Sequence, residues 1–353
     1  MTSPFRHGLV LGKFYPLHAG HLNLIRTGLR SCDTLTVQVL ASSVESVPAS
    51  VRADWIRTEV PGARVVHAVD DAPVDYGSDA AWDAHLAVIT SLLDAPVDAV
   101  FTSDAYGAEL ADRLDARWVR VDPARHDVPV SATAVRADPA AYWWALPAPV
   151  RAHLTTRVVV LGAESTGTTT LARDLSAHYG TPEVAEFGRT WSRIRPGGLS
   201  APWHSSEFDL IAAEQARLED AAAARTPRPL LVADTDVLAT RVWHERYVGA
   251  PSASVADLAR SRRPDLYLLT GDEIGFVQDG LRDGAHLRHA MTARFREVLN
   301  ASGVPWRELH GSPTERLTAA VDLVDALDHG RPLTDPLPQA GTDAHRAGSR
   351  TSR

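Results

Sequence analysis

Residues 12–25 read GKFYPLHAGHLNLI and place two histidines, His18 and His21, three positions apart. The spacing alone decides little: 15 histidines in 353 residues give roughly 0.6 such pairs by chance. The setting adds more. HGLVLG (7–12) is an apolar run closed by glycine, which predicts a buried strand. After Pro16 the pattern turns helical, with Leu22, Leu24, Ile25 and Leu29 as its apolar positions. The histidines therefore fall where a first strand hands over to a first helix. Free backbone N–H groups and the positive end of the helix dipole make such a turn a phosphate site. Gly12 and Gly20 let backbone approach a ligand closely.

Three more segments carry groups of the same kind. VPVSATAVRADP (128–139) sets the hydroxyls of Ser131 and Thr133 just before a helix, with Arg136 three residues on. Those are the parts of a phosphate clamp. FTSDAYG (101–107) ends a strand with Asp104 and Tyr106, at the carboxyl edge where open α/β sheets bind ligands. SVPASVRADW (46–55) offers Arg52 and Trp55 at a loop-to-helix junction. Taken singly, each also reads as ordinary structure: N-cap hydroxyls, a solvated arginine, a core tryptophan.

A second strand, glycine loop and helix follow at TTRVVVLGAESTGTTTLARDLSAHYG (155–180). The phosphate-loop pattern is Gly, four residues, then Gly-Lys-Ser/Thr. Gly162, Gly167 and Thr169 fit it, Ser165 and Thr166 lie within the loop, and Thr168 stands at the lysine position. LLVADTD sets Asp234 at the carboxyl end of a strand, the place for a magnesium-linked acid, with Asp236 two residues on. VAEFGRTW places Glu186 and Arg189 after another strand. DGLRDGAHLRH (279–289), with Arg282 and Arg288, is a glycine-punctuated charged loop suited to a lid.

The elements that position these groups alternate along the whole chain. Strands are expected at 34–40, 63–69, 97–103, 116–122, 228–236 and 264–273, and helices at 52–60, 79–93 and 207–224. Such alternation implies two doubly wound parallel sheets with helices on both faces, an α/β fold. The Pro-punctuated ALPAPVRAHL (145–154) joins a first domain, 1–150, to a second, 156–328. The polar, Pro/Gly-rich stretch 331–353 reads as a disordered tail. A net charge of −8 argues against a general nucleic-acid binder. The single cysteine, Cys32, excludes an internal disulfide framework and a Cys-based zinc cluster. No apolar stretch nears a membrane span, and the N-terminus has no signal-peptide core, so a cytoplasmic protein is expected. Nothing in the sequence argues against a homo-oligomer.

Together the segments of the first half resemble the nucleotidyltransferase superfamily with a His-x-Gly-His signature. GKFYPLHAGH, FTSDAYG and VSATAVRADPAAYWW point more narrowly to the nicotinamide mononucleotide adenylyltransferase half of the bifunctional NadR type. The resemblance implies a Rossmann-like domain over residues 1–150 and a reaction there. The 5′-phosphate of nicotinamide mononucleotide attacks the α-phosphorus of ATP, giving NAD and pyrophosphate. No protein nucleophile is needed; alignment and neutralisation of charge suffice. By this resemblance His18 and His21 act on the ATP phosphates, and Lys13 and Arg136 on the triphosphate. Ser131 and Thr133 hold phosphate oxygens, and Gly12, Phe14 and Gly20 complete the nucleotide site. Arg52, Trp55, Asp104 and Tyr106 serve the mononucleotide, with Trp55 stacked on the nicotinamide. Mg2+ travels with ATP.

The second half resembles the P-loop ribosylnicotinamide kinase domain of the same type, through PEVAEFGRTW, ADTDVLAT and LLTGDEIGFVQDGLRDG. The implied reaction moves the γ-phosphoryl of ATP to the 5′-hydroxyl of ribosylnicotinamide, whose product feeds the first domain. Gly162, Ser165, Thr166, Gly167, Thr168 and Thr169 then bind nucleotide. Thr169 and Asp234 hold the metal, and Glu186, Arg189 and Asp236 contact the riboside. The missing lysine departs from the pattern, and Arg282 is the expected replacement for its charge, followed by Arg189. Some members of this type carry an N-terminal DNA-binding helix-turn-helix. Here the first strand starts near residue 7, so no nucleic-acid partner is expected. Thr168 also motivates a rival, an adenylyltransferase fused to a catalytically silent nucleotide sensor. A flavin-nucleotide synthetase would pair the first domain with a β-barrel kinase, which the GAESTGTT loop argues against.

Overall fold

The computed structural model describes residues 3–277, 284–327 and 333. The chain divides into two compact units between Val150 and Arg151. In the first, strands β1 (Phe5–Gly12), β2 (Cys32–Ala41), β3 (Arg64–Val69), β4 (Ala99–Thr102) and β5 (Arg117–Arg120) alternate with helices. These are α1 (Ala19–Ser31), α2 (Ala49–Glu59), α3 (Asp79–Ser91), α4 (Gly107–Arg113) and α5 (Ala132–Ala137). The sheet order is β3-β2-β1-β4-β5, and every pairing is parallel. β1 lies at the centre, so the turn into α1 opens at the carboxyl edge between neighbours on both sides.

Periodicity located the elements, and local chemistry set their ends. α2 starts three residues earlier than the apolar pattern alone requires, because Pro48 is its N-cap residue and Pro suits a helix start. α1 begins at His18, whose ring caps the amides of Gly20 and His21. Gly8 is required by close approach: a Cβ there would collide with Cys32 and Phe101. The stretch 145–154 is not extended linker. It holds the end of a short 3-10 helix (Trp143–Ala145) and α6 (Ala148–Leu154).

The second unit has β6 (Thr156–Leu161), β7 (Glu183–Val184), β8 (Leu230–Asp234), β9 (Leu266–Thr270) and β10 (Trp306–Leu309). Between them run α7 (Thr168–Tyr179), α8 (Phe187–Ile194), α9 (Ser205–Arg225), α10 (Val237–Val248), α11 (Ala253–Ser261), α12 (Arg288–Ser302) and α13 (Pro313–Asp325). The order is β10-β9-β6-β8-β7, again all parallel. β6 shows why the pattern reads as continuous apolar sequence. Val159 and Leu161 enter one core cluster, Val158 and Val160 the cluster on the opposite face, as alternating strand residues must. Both folds are therefore doubly wound α/β. The tail call at 331–353 lies outside the described residues, apart from residue 333.

Candidate active sites

In the first unit a cavity of about 800 Å³ opens at the carboxyl edge of the sheet. Gly12, Lys13, Phe14, His18, Gly20, His21, Asp104, Tyr106, Ser131, Thr133 and Arg136 all line it. The His18 ring stacks on His21 with centroids 3.7 Å apart. His18 Nδ1 accepts hydrogen bonds from the amides of Gly20 (3.1 Å) and His21 (3.4 Å). An accepting Nδ1 leaves the proton of a neutral ring on Nε2, so His18 is a donor from that atom. Burial, with help from Arg125, pushes the His18 pKa down to about 4. Burial and then the charges near His18 and Arg125 hold His21 well below its ordinary value. Its Nδ1 is buried without a hydrogen-bond partner. Both imidazoles are thus neutral at physiological pH.

Cations line the same cavity. Arg136 donates to the Tyr15 carbonyl (2.8 Å) and to Thr133 Oγ1 (3.3 Å). Ser131 caps α5 by accepting from the Ala134 amide. Lys13 pairs with Glu45 at 3.0 Å. Arg125 also lines the cavity and meets Asp104 at 3.5 Å. Leu40, Trp82, Ile89 and Leu110 also line the cavity, with Tyr76 and Tyr106. The two tyrosine rings are nearly parallel, 6.0 Å apart.

In the second unit the loop 162–169 wraps the start of α7 and borders a pocket of about 130 Å³. Gly162 is required because a Cβ would collide with Thr166 and Thr270. Gly167 has φ +90°, a conformation that favours glycine. Thr169 donates to Asp234 Oδ2 at 2.6 Å. Burial raises the Asp234 pKa, against the hydroxyls of Thr169 and Thr168 and the charge of Arg189. Glu186 and Arg189 line the pocket with Ser165, Thr168 and Thr169. Gln215 ties the two sides together: its side chain accepts from the Phe187 amide (2.9 Å) and donates to the Thr235 carbonyl (3.3 Å). Aromatic walls come from Trp203, Phe208, Trp243 and Tyr247.

Comparison with known proteins follows the same division. Residues 157–316 match a family model described as an AAA domain. The trifunctional NAD biosynthesis/regulator protein NadR of Escherichia coli (strain K12) is 28% identical over 295 residues, which is 78% of this chain and 71% of that protein. Its counterpart from Salmonella typhimurium (strain LT2) is 28% identical over 293 residues, 78% of this chain and 71% of that protein. The chain is a homologue of NadR. The crystal structure of NadR protein in complex with NR superposes with a TM-score of 0.70 at 21% identity, over 94% of this chain and 98% of that one. NadR protein in complex with NAD and AMP-PNP gives 0.66 at 21% identity, over 91% and 96%. At that identity the NadR structures speak for the fold.

Several sequence expectations need correction against the geometry of this NadR homologue. Arg52 is fully buried and not in the cavity wall. It pairs with Glu45 at 2.7 Å, donates to the carbonyls of Lys13 and Val47, and lies 4.2 Å over the Tyr15 ring. It shapes the loop that carries Lys13. Trp55 packs in the core, 4% exposed, and does not reach the cavity. Asp236 is the N-cap of α10, accepting from the Ala239 amide (3.0 Å) and the Tyr267 hydroxyl (2.7 Å), and it does not line the pocket. The Thr166 hydroxyl is held inside by the Ala163 carbonyl and Thr270. His21 sits in the first turn of α1. Arg282 lies outside the described residues.

Other lining residues escaped the sequence reading. Arg125 is presented by a local turn in which the Asp122 carboxylate gathers the amides of His126, Asp127 and Val128. Trp243 and Tyr247 stand four apart on α10, a spacing that puts two aromatic rings on one helix face.

Proposed function

We propose that the first unit transfers the adenylyl group of ATP to nicotinamide mononucleotide, forming NAD, and that the second phosphorylates ribosylnicotinamide. The observation that supports the first reading is the stacked, neutral His18–His21 pair at the start of α1, facing Lys13, Arg136 and Arg125 across one cavity. The mononucleotide phosphate is already an anion, so the protein supplies alignment and charge. His18 donates from Nε2, and α1 adds its amides and dipole. Arg136 and Lys13 meet charge that builds on the leaving pyrophosphate. The aromatic lining residues Tyr76, Tyr106 and Trp82 suit a pyridine ring.

In the second unit the loop amides and α7 hold the ATP phosphates, and Arg189 faces the transferred group. Among the described residues no cluster of three or more His, Cys, Asp or Glu could hold a metal. The Thr169–Asp234 pair, one hydroxyl and one carboxylate, nonetheless fits Mg2+, which takes few protein oxygens and several from phosphate. Thr169 and Asp234 would hold it, and it would neutralise phosphate charge. Asp234 and Glu186 remain positioned to take the proton of the attacking hydroxyl.

Thr168 favours one rival for this unit, a nucleotide sensor without turnover. The deciding experiment gives the protein ATP, magnesium and either nicotinamide mononucleotide or the riboside, and reads products by mass. NAD from the mononucleotide and mononucleotide from the riboside support both activities. ATP binding with no riboside product replaces the kinase by the sensor. No NAD from the mononucleotide ends the adenylyltransferase reading.

A further inference from the structure

Four arginines are buried among the described residues: Arg52, Arg195, Arg288 and Arg316. Three have a carboxylate partner, Glu45 at 2.7 Å, Glu207 at 2.8 Å and Glu273 at 2.7 Å. Arg288, 9% exposed, has none among the described residues. Its guanidinium donates to the carbonyls of Ser165 (3.3 Å) and Ile274 (2.9 Å), and its Nε is buried without a partner. Guanidinium keeps its proton in a protein, so Arg288 is a buried cation without a counter-ion among the described residues. Such a charge is costly until an anion arrives.

The group it grips lies in the phosphate loop. Arg288 binds the Ser165 carbonyl, and Arg316 binds the next one in the loop, Thr166, at 2.6 Å. Arg316 is already neutralised by Glu273; Arg288 is not. At the front, where the loop pattern has lysine, Thr168 brings no charge.

We propose that Arg288 is the charge source of this lysine-less loop: through the Ser165 carbonyl it positions the loop, and its charge compensates the polyphosphate of a nucleoside triphosphate. This rests on the reading of the second unit as a phosphate-binding kinase. Arg288 is a positioning residue, since it acts through Ser165 and through its field.

The test uses the full chain as wild type, Arg288→Met, Arg288→Lys, Thr168→Lys and the double variant Thr168→Lys/Arg288→Met. Riboside phosphorylation is measured against ATP concentration, and ATP affinity by calorimetry. Arg288→Met should lower kcat/KM for ATP about 10²–10³-fold, mostly through KM, and weaken ATP binding in parallel. Arg288→Lys should keep part of both. Thr168→Lys should rescue Arg288→Met, because a lysine at the front supplies the missing charge. A residue that merely packs would leave the double variant as impaired as Arg288→Met. That result, or an Arg288→Met enzyme with unchanged ATP affinity and KM, overturns the proposal. If wild type forms no mononucleotide, the kinase reading fails alone, and the ATP affinities of the five proteins still decide the role of Arg288.

Discussion

His18 and His21 stack with their planes 23° apart, and the same His18 ring accepts from the His21 amide. One side chain therefore caps α1 and forms half of the proposed phosphate-facing pair. These two tasks can be separated. His21→Ala should lower NAD formation about 10²–10³-fold with little change in the denaturation midpoint, since His21 caps nothing. His18→Ala should lose activity and also about 1 kcal/mol of stability from the missing cap. His18→Asn keeps an acceptor for the cap and should recover the stability without the activity. Turnover and urea melts read the three variants; near-normal turnover in His21→Ala would remove the pair from the chemistry.

The depressed His18 pKa sets a pH dependence with a definite sign. Its ordinary value is 6.5 and its folded value about 4, so the unfolded chain binds the proton more tightly. His18 then favours unfolding increasingly as pH falls from 6.5 to about 4, and adds no further slope below that. The difference amounts to roughly 3 kcal/mol at the acid end; His21 shifts the same way. His18→Asn should flatten the stability profile in that window, judged by melts from pH 4 to 7. Parallel profiles for variant and wild type would mean that the ring is protonated when folded.

Mononucleotide recognition distinguishes the observed wall from the expected one. Tyr76 is half-exposed and lines the cavity, whereas Trp55 is buried in the core and does not. Tyr76→Ala should raise KM for the mononucleotide about threefold to tenfold, the worth of one aromatic contact, at little cost to stability. Trp55→Phe should leave that KM unchanged and lower the melting temperature. Reversed effects would return Trp55 to the ring-binding role.

What the sequence makes legible follows from which interactions are local. The strand–glycine–helix turns at Gly12–Leu24 and Gly162–Leu171 declare themselves through apolar periodicity and the shape of a phosphate site, so both loops and His18, His21, Ser131 and Arg136 could be named. Arg52, Trp55 and Asp236 could not be placed correctly, because burial decides their roles. A charged residue at a junction reads as solvated until Glu45, seven residues earlier, is seen folded back beside it. Asp236 follows Asp234 by two residues, yet Thr235 between them has φ +72°. That turn sends one carboxylate to Thr169 and the other to the cap of α10. Arg125 sits in a turn closed by Asp122 that does not by itself declare a ligand, and only the tertiary fold sets Trp203 beside Tyr247.

The Asp234–Asp236 pair gives the sharpest separation of chemistry from scaffold. Asp234 Oδ2 meets Thr169 at the mouth of the phosphate loop, and the charge of Arg189 acts on it. Asp236 is buried against Tyr267 and the α10 amides, on no wall of the pocket. Asp234→Asn keeps size and a hydrogen-bond acceptor but removes the charge. It should lower riboside phosphorylation about 10²–10³-fold while NAD formation from the mononucleotide continues, since that site lies in the other unit. Asp236→Asn keeps the cap, because Asn serves that position about as well as Asp. It weakens the bond from Tyr267, so about 1 kcal/mol of stability is lost and riboside turnover remains close to wild type. Two assays and one melt on each variant suffice. Equal loss of riboside turnover in both variants would make the whole β8–α10 turn structural, and would take Asp234 out of the proposed metal and proton-accepting roles.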